Sequence, residues 1–240
     1  SYSVSKEGVK IVENYTTMGS VEIYYDFLNK EQSKNIIESI EAMDQDKEFP
    51  AGFEDAKVGK GHKGGEIRSN SLFPLTLHSN MDPNQREYRE AIKNGTDTYF
   101  KELKEIQDLL SNKMVEFVGR YTDKYEFSID FDEGFTLLRY KGGQEYKPHC
   151  DYAPHIPRHL SALILLNPTE YEGGGTYFEH FQENVKTEAP ALILFPSNYA
   201  YSHRAMPVIS GTKYAIVTWL GHPFDTDGMP GMYLPQGGGQ

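Results

Sequence analysis

The sequence predicts a mainly β fold with helices packed on one side, and three observations predict it. Seventeen tyrosines and thirteen phenylalanines in 240 residues supply side chains that pack well on a pleated face. From Phe131 onward short apolar runs recur, "FTLLRY", "LSALILLN", "GTYFEH", "ALILFP" and "KYAIVTWL", separated by Gly, Pro and Asn clusters. That pattern is expected of antiparallel strands in a barrel or sandwich. Helical periodicity, by contrast, falls before residue 131.

In chain order, "VEIYYDFL" (residues 21–28) reads as a short aromatic strand. "NKEQSKNIIESIEAM" then places Ile36, Ile37, Ile40 and Met43 at helical spacing, which predicts a helix packed on one face. Residues 50–65 hold Gly52, Gly59, Gly61, Gly64 and Gly65 among charges and are expected to form a mobile lid. Residues 85–120 are the strongest helical stretch; Gly95 interrupts it, and Tyr99, Leu103, Ile106, Leu110, Met114 and Phe117 mark its apolar face. The expected organisation is one domain over residues 1–240: strand and supporting helices at 21–130, a β-core at 131–224 and a poorly anchored Gly-rich tail at 225–240.

Composition excludes several classes. The formal charge is −11 with no long basic run, which argues against a nucleic-acid partner because such binding draws its affinity from phosphate neutralisation. One cysteine makes no internal disulfide, and no apolar run approaches a membrane span. The N-terminal "SYSVSKEGVK" lacks the apolar segment of a signal peptide, so a cytoplasmic location is the expectation. Oligomeric state is not legible.

The densest chemistry lies in "YKPHCDYAPHIPRH", which carries three of the eight histidines and the only cysteine. His149 and Asp151 are two apart, so on an extended segment both point to one side while Cys150 faces away. An HxD pair alone is weak evidence. A third ligand is available in His203, just after "ALILFP", and two imidazoles with one carboxylate make the facial set of non-heme Fe(II), which leaves coordination positions open. His155, His159 and His222 sit in Pro- or Gly-flanked turns, and His62, His78 and His180 lack a carboxylate at suggestive spacing. Ordinary solvent or core roles suit these better.

Lys213 strengthens the pair. Alternation along "GTKYAIVTWL" puts Lys213, Ala215, Val217 and Trp219 on one face. If that face points inward, an unpaired ammonium there is costly unless an anionic ligand meets it.

With these residues in place, the sequence resembles the 2-oxoglutarate- and Fe(II)-dependent oxygenases, most closely their prolyl 4-hydroxylase-like branch. The similar pieces are "RYKGGQEYKPHCDY", "LILLNPTEYEGGGTYF", "SHRAMPV" and "GTKYAIVTWL", with "VEIYYDFLNKEQSKNIIESI" and "GEIRSNS" resembling the family's opening strand, helix and "RTS" segment. The resemblance implies a double-stranded β-helix (jelly-roll) core. It implies Fe(II) on His149, Asp151 and His203, and 2-oxoglutarate held by Lys213 and Tyr140. Ser161, Leu163 and Leu165 would line the co-substrate pocket and Trp219 would close one wall; where this chain has Leu165, family members often carry a polar or aromatic residue.

The implied activity is that of a dioxygenase using O2, with ascorbate as a candidate reductant, which hydroxylates a C–H bond and releases succinate and CO2. Related halogenases replace the carboxylate at the position of Asp151, so its presence favours hydroxylation. The favoured substrate is a proline in a peptide or protein, with Arg68, Arg158, Tyr146 and the loop of residues 50–65 as candidates for gripping it; ordinary surface charge is the alternative for the two arginines. The alternatives are a hydroxylase of a free amino acid or other small molecule, a non-catalytic jelly-roll binding module, and a nucleic-acid demethylase on the same fold.

Overall fold

The computed structural model describes residues 2–4, 10–12, 18–49, 52–55, 57–58, 62–63, 67–75, 90, 98–152 and 158–222. Half of the expected lid at 50–65 is described: Glu54–Asp55 pairs with Ser71–Pro74 and Phe53 packs against the core, while Gly59, Gly61, Gly64 and Gly65 lie outside these residues, as do the tail at 225–240, His78 and His155.

Two antiparallel sheets form the core. The major sheet runs in the order Glu22–Tyr24, Ala191–Pro196, Arg158–Leu165, Lys213–Gly221, Thr136–Tyr140, Ser71–Pro74 and Glu54–Asp55, with Phe131–Asp132 paired to Lys213–Gly221. The minor sheet runs Tyr146–His149, His203–Ala205, Thr176–Phe178 and Glu183–Val185. Sequence-distant strands are thus neighbours, in a double-stranded β-helix, the jelly roll.

Alternation decides what each face of the major sheet meets. Leu192, Leu194, Ala162, Ile164 and Ile216 point to the helices, whereas Ile193, Phe195, Leu165 and Ala215 join Phe178 of the minor sheet between the layers. Each Leu, Ile or Phe among them contributes about 1.5–3 kcal/mol on burial.

Among the described residues, two helices cover the outer face. Helix α1, Lys30–Gln45, starts at a capping box: the Gln32 amide donates to Asn29 Oδ1 at 2.8 Å, and Gln32 Oε1 accepts from the Asn29 amide at 3.0 Å. It buries Ser33, Ile36, Ile40 and Met43. Helix α2, Thr98–Tyr125, buries Phe100, Leu103, Ile106, Leu110, Met114, Phe117, Val118 and Tyr121. Tyr99, expected on the buried face, is half-buried and packs its ring on Phe49, while its neighbour Phe100 takes the core position.

A polar network locks α1 to the sheet. Arg139 donates to Glu41 at 2.9 and 3.1 Å and to Asp44 at 3.2 Å, the Tyr214 hydroxyl donates to Glu41 at 2.6 Å, and the Arg139 guanidinium lies 3.6 Å from the Phe53 ring centroid. Arg139 and Tyr214 are register partners, and so are the next pair, Tyr140 and Lys213, which face the other way. The helix therefore braces the strands behind the two residues expected to hold the co-substrate.

Candidate functional site

His149 closes the strand Tyr146–His149, His203 opens the strand His203–Ala205, and the two are register partners. Asp151 sits in the bend two residues further on, buried. One ligand atom from each of the three lies within 4.8 Å of the others, the only such cluster among the described residues. His149 Nε2 is 3.5 Å from Asp151 Oδ1, and His203 Nε2 is 3.8 Å from Asp151 Oδ2.

Each imidazole is oriented the same way. Nδ1 of His149 meets the Lys147 carbonyl at 2.8 Å and Nδ1 of His203 meets the Tyr201 carbonyl at 3.0 Å, which leaves both Nε2 atoms for an ion. The Tyr146 ring stacks on His149 with centroids 3.6 Å apart, and the Arg68 guanidinium lies 4.4 Å from the Tyr146 centroid. Phe195 packs against His203 at 4.9 Å. Burial alone would raise the Asp151 carboxyl, but His203, His149 and the Ser161 hydroxyl together hold it well below the usual carboxylate range. Burial keeps the His203 imidazole neutral, as a metal ligand needs.

A pocket opens between the sheets beside this cluster. Tyr140, Ser161, Leu163, Lys213, Val217 and Trp219 line it from the major sheet, with Tyr146, His149, Thr176, His203 and Ala205 from the minor sheet and Arg68 at one side. Lys213 is 2% exposed, and among the described residues it has no carboxylate partner. Its ammonium donates to the Gly174 carbonyl at 2.7 Å and lies 5.2 Å from the Tyr140 ring centroid. Burial lowers its pKa to about 8. A buried ammonium facing a pocket with only a carbonyl partner fits an anionic ligand. Beside three ligand-competent side chains, this donor set suits a divalent ion and a carboxylate-bearing molecule together.

The remaining site expectations divide. Leu165 packs in the core cluster with Phe178 and Ala191 and is not on the pocket wall. Arg158 is committed to the protein: Nε and Nη2 donate to the two oxygens of Glu133 at 2.6 Å each, Nη1 reaches the Asp151 carbonyl at 3.4 Å, and the guanidinium lies 3.7 Å from the Trp219 centroid. Arg68 donates to Asn70 at 3.1 Å and bridges to Tyr146 through its backbone. Ser161 lines the pocket, and its hydroxyl donates to Asp151 Oδ2 at 2.6 Å. His159 and His222 pack on each other away from the cluster, His222 beside Asp130 at 2.9 Å.

Sequence reasoning missed Glu133, Ser197 and the Gly174 carbonyl. The acidic residue just ahead of "FTLLRY" and the serine closing "ALILFPS" were the available signals for the first two; a backbone carbonyl leaves none.

Residues 135–221 match the 2OG-Fe(II) oxygenase superfamily. A PKHD-type hydroxylase of Synechococcus sp. (strain JA-2-3B'a(2-13)) is 34% identical over 90 residues, covering 34% of this chain and 39% of that protein. Prolyl 4-hydroxylase 13 of Arabidopsis thaliana is 27% identical over 124 residues, 39% of this chain and 44% of that one. The match thus spans about two fifths of the length of these curated relatives. Among solved structures, a Trichoplax adhaerens prolyl hydroxylase in complex with a hypoxia inducible factor peptide superposes with TM-score 0.57 at 21% identity, covering 87% of this chain and 86% of that one. A Pseudomonas putida prolyl-4-hydroxylase superposes with TM-score 0.52 at 15% identity, covering 88% and 97%.

Proposed function

We propose that this chain, whose residues 135–221 match the 2OG-Fe(II) oxygenase superfamily, is an Fe(II)- and 2-oxoglutarate-dependent dioxygenase that hydroxylates a peptidyl proline and releases succinate and CO2. The observation that carries the reading is the buried Lys213 ammonium, without a carboxylate partner among the described residues, in the same pocket as His149, Asp151 and His203.

His149, Asp151 and His203 would hold Fe(II), which when bound supplies the activation of O2 and the oxidation of the C–H bond. Lys213 grips the distal carboxylate of 2-oxoglutarate, and Tyr140, its register partner, is placed to donate its hydroxyl to the same group; burial pushes that phenol up, so it stays protonated. Leu163 and Val217 exclude water from the co-substrate's carbon chain, and Trp219 closes the wall.

The proline assignment is supported by the prolyl hydroxylases to which the chain is similar in sequence and fold. Arg68 and Tyr146 are the better candidates for touching the peptide, because Arg158 already carries Glu133 and braces Trp219. Ascorbate is retained as the candidate reductant. The test is incubation with Fe(II), 2-oxoglutarate and a library of proline-containing peptides. Succinate formation coupled to a mass gain of one oxygen on proline is expected; succinate without any oxidised peptide would overturn the substrate, and no succinate at all would overturn the activity.

A further inference from the structure

Two buried hydroxyls stand behind the metal cluster. Ser161 is 2% exposed on the central strand Arg158–Leu165, flanked in register by Phe195 on one side and Trp219 on the other. Ser197, 1% exposed, follows the strand Ala191–Pro196. Their oxygens are 2.8 Å apart, and Ser161 Oγ is 2.6 Å from Asp151 Oδ2. The backbone of Ser197 is fixed on both sides: its amide donates to the His159 carbonyl at 3.0 Å, and its carbonyl accepts from the amide of Tyr152, the residue after Asp151, at 2.9 Å.

Proton counting sets the direction of this chain. An ionised carboxylate only accepts, so the single Ser161 proton goes to Asp151. Ser161 must then accept from Ser197, and the order is Ser197 to Ser161 to Asp151. Hydroxyls this deeply buried cost on the order of 1–3 kcal/mol unless hydrogen-bonded, and at position 161 an alanine would line the co-substrate pocket equally well. The hydroxyls therefore act on the carboxylate.

We propose that Ser197 and Ser161 form a two-hydroxyl relay that ties Asp151 Oδ2 and leaves Oδ1 alone to ligate the metal, so that a coordination position a two-oxygen carboxylate would fill stays open. Both are positioning residues, Ser197 acting through Ser161. The inference rests on the metal assignment made above and goes beyond it, since neither serine is a metal ligand.

Co(II) serves as the probe, with its affinity measured by titration and its coordination number read from the intensity of its visible absorption, apart from any turnover. Ser161→Ala is expected to weaken Co(II) binding roughly tenfold and to shift the spectrum toward a higher coordination number. Ser197→Ala should do the same to a smaller extent, Ser197→Thr should restore it, and Ser197→Ala should add nothing in a Ser161→Ala background. Unchanged Co(II) affinity and spectrum in Ser161→Ala, or independent additive losses from the two serines, would overturn the relay. Absence of Co(II) binding by the unaltered chain would instead overturn the metal assignment itself, and the relay with it.

Discussion

The two sheets of the jelly roll hold their candidate site residues by different physics. The major-sheet strands that carry Ser161 and Lys213 are eight and nine residues long and mostly buried. The minor-sheet strands that carry His149 and His203 are four and three residues long, and most of their residues are half-buried or exposed. Lys213 is held by a hydrophobic scaffold. The histidines are held by carbonyls two residues back, by a stacked tyrosine and by each other's register. Rigid apolar strands suit the burial of a charge; short polar strands suit an ion, because local hydrogen bonds fix the orientation of the ligand rings.

That contrast breaks most visibly under core and ligand substitutions. Ile164→Ala, which opens a cavity in the major sheet, should cost about 2–5 kcal/mol of stability in urea denaturation. His149→Ala should abolish Fe(II) binding measured by calorimetry while changing the stability of the metal-free protein by less than about 1 kcal/mol. A large loss of stability in His149→Ala would dissolve the distinction. Next in size, Lys213→Ala should weaken 2-oxoglutarate binding by about 3 kcal/mol, more than a hundredfold, with the fold intact by circular dichroism.

The pH dependence sharpens the same point. Burial lowers the free-pocket pKa of Lys213 to about 8, and a bound carboxylate raises it again. The protonated form binds the anion, so affinity for 2-oxoglutarate should be flat below about pH 8 and fall by about tenfold per unit as pH rises beyond it, until the pKa of the complex is reached. Calorimetric titrations across that range check the slope, and an affinity that climbs with pH would contradict it. The smallest effect is expected outside both sheets: Asn29→Ala removes the α1 cap and should cost about 1 kcal/mol, leaving 2-oxoglutarate affinity as it was.

The same contrast explains what the sequence disclosed. All five apolar runs after Phe131 overlap strands, because burial on alternating faces writes itself into residue type. Tyr146–His149 and His203–Ala205 escaped that reading; too short and polar for periodicity, they are held by pairing with distant partners. His149, Asp151 and His203 were nevertheless legible as a cluster through the chemistry of their side chains, and the structure brings them together. Leu165 was misplaced because alternation along a strand names a face without saying where on that face the pocket ends. Arg158 read as free because Glu133, 25 positions away, is invisible to local spacing.

The partner of Lys213 has a consequence of its own. Gly174, at φ 60° and with the Tyr171 ring 2.8 Å from where a Cβ would stand, turns a peptide carbonyl toward the ammonium. A carbonyl is a dipole and carries no net charge, so it aims the lysine without neutralising it, and among the described residues an arriving carboxylate has no internal rival to displace. Nor is that partner encoded by a side chain: no single exchange at Gly174 can turn the contact into a competing salt bridge without first breaking the turn that makes it. The aim of the ammonium is thus written into the path of the main chain, where point substitution has little purchase.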